Sequence, residues 1–159
     1  MKSTIKPGIA LGLIVVVWMY IIGFAGWYKD PAMLNMFYMV IVFQIVVLVW
    51  GLRLTAAEGK AYGSQIAAGM VISLIGAVII FVGSYLFTTV AFPRYFEEIH
   101  TVGERVLREQ GKSEEEIRNM MKLSAPMQTP LMNAITGVVG TLMTGVLASA
   151  IIAFFVRKK

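Results

Sequence analysis

Uncharged apolar stretches and short charged interruptions alternate along the chain. Pro7 to Tyr28 (22 residues), Pro31 to Leu52 (22), Ala61 to Pro93 (33) and Leu123 to Val156 (34) contain no Asp, Glu, Lys or Arg. Each exceeds the ~20 apolar residues an α-helix needs to cross ~30 Å of hydrocarbon at 1.5 Å per residue. The pattern predicts an all-α fold, a four-transmembrane-helix bundle with spans over about 7–28, 32–52, 64–92 and 130–156. Trp27 to Pro31 leaves room only for a tight connection, and Pro31 is placed to open a helix, so spans one and two form an antiparallel hairpin. The third stretch would make a rod of about 50 Å, so its far end either stands above the bilayer or tilts. Pro93 has no amide hydrogen and would collide with the carbonyl four residues back. A kink or break is predicted there, with Thr88 and Thr89 able to satisfy the freed carbonyls.

Between spans three and four the pattern changes to amphipathic. Phe96, Ile99, Val102, Val106 and Leu107 recur at helical spacing, and Gly111 is the expected stop. Ser113-Glu114-Glu115-Glu116 supplies a capping box, after which Ile117, Met120 and Met121 mark a second apolar face that ends before Pro126. Residues 93–125 therefore read as an extramembrane helical hairpin. Its apolar positions Phe96, Val102, Met120 and Met121 are a candidate interaction face.

Composition closes off several classes. With 58% hydrophobic and 14% charged residues, a water-soluble enzyme is excluded, and the absence of cysteine excludes disulfides, thiolate catalysis and cysteine-ligated metals. The net charge of +5 is first a topology signal and does not point to nucleic acid. Lys2, Lys6, Arg53, Lys60, Arg157, Lys158 and Lys159 flank the spans on one side, opposed only by Glu58. The other side carries as many basic residues, but Arg105, Arg108 and Lys112 lie deep in a long acidic loop where they count less, so both termini are expected in the cytoplasm. Span one has a signal-like Gly23-Phe24-Ala25, yet its apolar run is too long for such a signal. It is read as a retained span anchored by Trp27 and Tyr28.

Small residues carry most of the information inside the spans. Gly69, Gly76 and Gly83 recur every seven residues in span three, and Gly137, Thr141, Gly145, Ser149 and Ala153 every four in span four. Lipid tails are as apolar as leucine, so helices associate in membranes through close van der Waals approach, which small side chains permit. The stripes serve either packing within the bundle or a homo-oligomer interface. A four-residue stripe suits a right-handed crossing and a seven-residue stripe a left-handed one, so the two are expected to face different neighbours, with the span four ladder most naturally against span three. Gly8 and Gly12 form a further GxxxG near the end of span one, where a bulky substitution is expected to be felt less than at Gly145. Gln44, near the middle of span two, must find a partner on another helix, with Ser73, Thr136, Thr141 and Thr144 as candidates.

Outside the membrane, Glu97, His100 and Glu104 share one helical face. One Glu-x-x-His copy and one histidine do not make the paired arrangement of a di-iron bundle. The simpler reading is a solvated face with an ion pair such as Glu104 to Arg108. No metal site, catalytic residue or cofactor is assigned.

Four segments together carry a resemblance: Met1-Lys2-Ser3-Thr4-Ile5-Lys6, Gly59-Lys60-Ala61-Tyr62-Gly63-Ser64, Pro93-Arg94-Tyr95-Phe96-Glu97-Glu98 and Gly111-Lys112-Ser113-Glu114-Glu115-Glu116-Ile117. The chain resembles a family of small bacterial four-span membrane proteins that share a domain of unknown function. Tyr62-Gly63 matches the family pattern, whereas its phenylalanine and alanine a few residues on are only loosely represented by Ile66 and Ala67. The resemblance implies architecture and a bacterial inner-membrane location, and carries no functional residues. Two expectations follow from the residues. The favoured one is a non-enzymatic scaffold or accessory subunit, embedded in the lipid bilayer, whose hairpin contacts a periplasmic or membrane protein. The alternative is a small transporter, channel or hydrophobic-ligand binder with a site between the spans near Gln44.

Overall fold

The computed structural model describes residues 2–156, so the basic flank at residues 157–159 lies outside the described residues. Helix α1 (Lys2–Ala25) leads through a short 3-10 turn into span two. That span opens as a 3-10 segment, Pro31–Tyr38, before becoming helix α2 (Met39–Ala57). Asp30 accepts the Ala32 amide at 3.0 Å and Pro31 follows as the first residue, the cap and fixed φ that start a helix. Helix α3 (Tyr62–Leu86) is the third span, α4 (Tyr95–Glu109) and α5 (Glu114–Ser124) are the hairpin, and α6 (Pro130–Val156) is the fourth span. The fold is all-α, with four membrane-spanning helices and a helical segment between the third and fourth. The hairpin defines one side of the bundle and the two chain ends the other.

Span three breaks upstream of Pro93. After Leu86 the helix widens into a π-turn, Phe87–Ala91, closed by the Phe92 amide donating to the Phe87 carbonyl at 2.7 Å. Phe92 then becomes extended (φ −133°, ψ 67°), as the residue before proline is biased to do. Thr88 donates to the Ser84 carbonyl at 3.1 Å and Thr89 to the Tyr85 carbonyl at 2.7 Å, so the loosened backbone stays satisfied. Helix α1 begins five residues before the expected start of span one and runs through Pro7, which packs where a β-carbon on Gly51 would come within 3.1 Å of it.

Glycines set how the helices meet. On α1, a β-carbon at Gly8 would stand 2.7 Å from Ile75 Cβ and 3.0 Å from the Ile72 carbonyl, and one at Gly12 would stand 2.5 Å from Ile79. On α3, Gly76 receives Leu11 and Gly83 receives Val16, so α1 and α3 interlock in parallel, glycine to side chain in both directions. The seven-residue stripe of span three is therefore divided: Gly76 and Gly83 face α1, while Gly69 lies against Ser149 of α6. The span four ladder is spent inside the chain, with Gly145 against Ser73 and Ser149 against Gly69 in antiparallel register. Leu11, Val15, Val47, Leu48, Ile72 and Ile80 fill the centre, and the outward-facing Leu13, Val17, Val46, Val78, Leu147 and Ile151 are left for lipid.

Gly8 needs a correction. Its neighbours include a backbone carbonyl, which cannot turn aside as a side-chain tip can, so position 8 is closed to a side chain as Gly145 is, although the approach at Gly145 is the shorter. Proximity to the end of the span says nothing about how closely the partner helix approaches.

Candidate functional site

Spans three and four are tight on the chain-end side and part on the hairpin side. At Gly145 and Ser149 the helices touch through Ser73 and Gly69, with both serine hydroxyls fully buried, unpaired by conventional hydrogen bonds and set against the opposite backbone. That arrangement suits weak Cα–H···O contacts. Two ladder steps away the fit is gone: a β-carbon at Gly137 would meet only Ile80 Cγ2, at an ordinary 3.7 Å. The helices rejoin where Asn133 Nδ2 donates to Ser84 Oγ at 2.9 Å.

The opening between these two contacts is a cavity of about 300 Å³ among all four spans, capped by the first residue of α4. Val15, Trp18, Met19 and Ile22 of α1, Phe37 and Val40 of span two, and Ile80 and Phe87 of span three form its apolar walls. Ser84, Asn133, Thr136, Thr141 and Tyr95 bring neutral hydrogen-bonding groups to it, and no charged side chain lines it. Trp18 is held by its indole N–H donating to the Met36 carbonyl at 2.9 Å, which also ties the 3-10 segment to α1. The hydroxyls of Thr136, Thr141 and Tyr95 have no hydrogen-bond partner among the described residues. Burial pushes the Tyr95 phenol up to about 12, so it stays protonated and able to donate.

Gln44 is 2% exposed and donates from Nε2 to the Thr141 carbonyl at 2.6 Å. It joins spans two and four beneath the floor of the cavity and does not line it. Of the candidates for its partner, Thr141 takes the role through its backbone. Thr136 lines the cavity, and Ser73 is occupied against Gly145.

The hairpin is fastened to the bundle by aromatic packing and one polar junction. Phe87, Phe92, Tyr28 and Tyr95 close a ring of tilted and edge-on contacts, with centroids 4.6 Å apart for Phe87–Phe92, 6.1 Å for Phe92–Tyr28, 5.1 Å for Tyr28–Tyr95 and 5.3 Å for Tyr95–Phe87. Glu98 of α4 accepts from the Tyr28 hydroxyl and, at 2.9 Å, from Lys29. The Tyr28 and Lys29 hydrogen bonds hold the Glu98 carboxyl below the usual carboxylate range, and the Glu98 bond in turn holds the Lys29 ammonium above its ordinary value.

Within the hairpin the Ser113 capping box is complete, and Gly111 turns with φ +76°. Arg108 pairs with Glu114 at 2.9 Å and not with Glu104, because the cap places Glu114 at the start of α5, directly across the turn. Glu104 lies 3.5 Å from His100, while Glu97 turns to Arg94, so these three groups do not converge. No cluster of three or more metal-binding side chains occurs among the described residues.

The candidate interaction face is split by the fold. Val102 is 4% exposed, so it is withdrawn from any surface. Phe96 is half-buried with its edge on Tyr95, and Met121 packs over Gly103. Met120 alone of the four is exposed, at 45%, next to Leu123 at 80%.

Sequence reasoning passed over Asn133, Ser84, Trp18 and Tyr95. The signal for the first was present: Asn133 lies four residues before Gly137 and is the first step of the ladder already recognised. Tyr95 carried no signal, since only the break at Phe92 turns it back onto the bundle.

A family model described as "Protein of unknown function (DUF4199)" matches residues 6–158. The chain belongs to this family. Comparison with curated proteins and with solved structures finds no match. The family carries no assigned activity, so any activity has to be argued from the geometry of this chain.

Proposed function

We propose that the protein is a non-enzymatic membrane protein that binds a small membrane-soluble molecule in the cavity between its spans. The observation that carries this reading is the contrast along one helix pair. Spans three and four are closed to contact at Gly145, then held open around Gly137 by a hydrogen bond beyond it, with unpartnered hydroxyls beside the gap. Unpaired polar groups next to apolar walls are what a ligand pocket presents, and the volume lies at the small end of such pockets. The site sits one turn beyond Gln44, whose own role is to hold two spans together.

Native mass spectrometry of the protein released from its own membranes tests this. The wild type is expected to keep a small molecule that Gly137→Phe, which fills the gap, does not keep. The same bound species on both proteins, or none on either, would sink the reading.

A second reading, an accessory subunit that meets a membrane or periplasmic protein through its hairpin, is favoured by the exposed Met120 and Leu123 on α5. It makes Met120→Glu with Leu123→Glu abolish any partner captured by crosslinking at Asn119, while leaving small-molecule retention intact. In both readings the termini lie in the cytoplasm of a bacterial inner membrane, supported by Lys2, Lys6, Arg53 and Lys60 on the chain-end side.

A further inference from the structure

The lining of the cavity narrows what it can hold, an inference that rests on the binding reading above. Phosphate, carboxylate or ammonium heads would lose their hydration there and find no countercharge, because no charged side chain lines the cavity. Its polar groups are neutral hydroxyls and one amide, each able to donate. The hydroxyls of Thr136 and Tyr95 are unpartnered, and Ser84 Oγ accepts from Asn133, which leaves its own proton to give. Donors of this kind, with no charge, suit carbonyl oxygens. Trp18, Phe37, Phe87 and Tyr95 contribute aromatic rings to the walls, and such rings pack best on another flat ring.

One side of the cavity is less closely packed than the others. Spans two and four are joined through Gln44 and Thr141, but the 3-10 segment that begins span two has no extensive packing with α6. We propose that the cavity receives the uncharged, carbonyl-bearing ring of a membrane-soluble quinone, with its tail passing between that segment and α6 into lipid.

The test uses the full chain in lipid nanodiscs and a benzoquinone carrying one isoprene unit, with quenching of tryptophan fluorescence as the readout. Binding is expected to saturate, to weaken at least tenfold in Gly137→Phe, and to stay within twofold of wild type in Gly140→Phe. Position 140 faces open space, so it controls for a bulky ring on the same helix. Dioctanoylglycerol, which offers ester carbonyls without a flat ring, and decanoate, which is charged, are expected not to displace the quinone at equal concentration. Displacement by dioctanoylglycerol would overturn the quinone assignment and leave the binding reading standing. Quenching that does not saturate, or that Gly137→Phe leaves unchanged, would overturn the site for quinone whatever the mass spectrum shows. Should Gly137→Phe fail to fold, Thr136→Val removes one hydroxyl at an exposed position and is expected to weaken binding about threefold. Unchanged binding in that variant would overturn the assignment of the donors.

Discussion

At the scale of single residues, the structure separates glycines that a sequence treats alike. Gly145 and Gly8 both lie where a β-carbon would collide, the first with Ser73 and the second with Ile75 and the Ile72 carbonyl. Replacing either with Leu is expected to lower thermal stability in detergent by the equivalent of ~1 to 3 kcal/mol or more, the range of core overpacking. Equal losses at the two sites would establish that nearness to the end of a span does not relieve Gly8. Gly137 has room, so Gly137→Ala is expected to be neutral or to stabilise by up to ~1 kcal/mol through helix propensity. A melting temperature of Gly137→Ala that falls as far as that of Gly145→Leu would contradict the splayed helix pair. Gln44→Leu exchanges the bond to the Thr141 carbonyl for apolar contact. Its expected cost is about 1 kcal/mol, since hydrogen bonds between membrane helices contribute little more.

At the scale of elements, the hairpin is held by groups that titrate. Glu98 has its carboxyl stabilised as the anion when folded, so its contribution to docking is complete above the ordinary value of 4.5 and is lost as pH falls through the lowered folded value. Lys29 behaves in the opposite sense. Its raised folded value makes its contribution complete below 10.5 and lost as pH rises through the folded value. Docking of α4 is therefore expected to be insensitive to pH between about 5 and 10 and to loosen in acid. Hydrogen exchange across Tyr95–Glu109 measures this. In Glu98→Gln the acid limb should flatten, because no carboxylate remains to protonate, and a limb that persists unchanged would place the titrating group elsewhere. The capping box and Gly111 were legible in the sequence because each is a local motif. The burial of Val102 was not, because an amphipathic pattern shows which face is apolar and cannot show whether the other helix of the hairpin or a partner covers it.

At the scale of the whole molecule, the bundle joins two regimes. Glycines interlock α1 with α3 along the bundle and close α3 against α6 only in the chain-end half, while aromatic side chains and hydrogen bonds brace a more open seam beside the hairpin. Which half faces the cytoplasm can be read directly, because the chain has no cysteine to confuse the result. Ser113→Cys in intact cells is expected to react with a membrane-impermeant maleimide, while Lys60→Cys, in the loop on the chain-end side, is expected to stay protected until the membrane is opened. Labelling of position 60 with position 113 spared would invert the orientation and leave the four spans as they are.

Length, apolar character and punctuation acted locally, so they determined the four spans, the break near Pro93 and the hairpin without any knowledge of neighbours. Each span needs only enough apolar residues to satisfy itself in hydrocarbon, and each cap bonds within its own turn. The ladder at Gly145 and the stripe at Gly69 were visible as patterns, but their partners were not. A small residue permits close approach on whichever side another helix arrives, and in lipid nothing in the helix itself selects that side. Only the tertiary arrangement could divide the span three glycines between α1 and α6, place Gln44 beneath Thr141 and leave Gly137 unfilled. The cavity is thus a property of how four helices cross. Tight packing at one end and the Asn133–Ser84 bond at the other hold apart a gap that no single segment encodes.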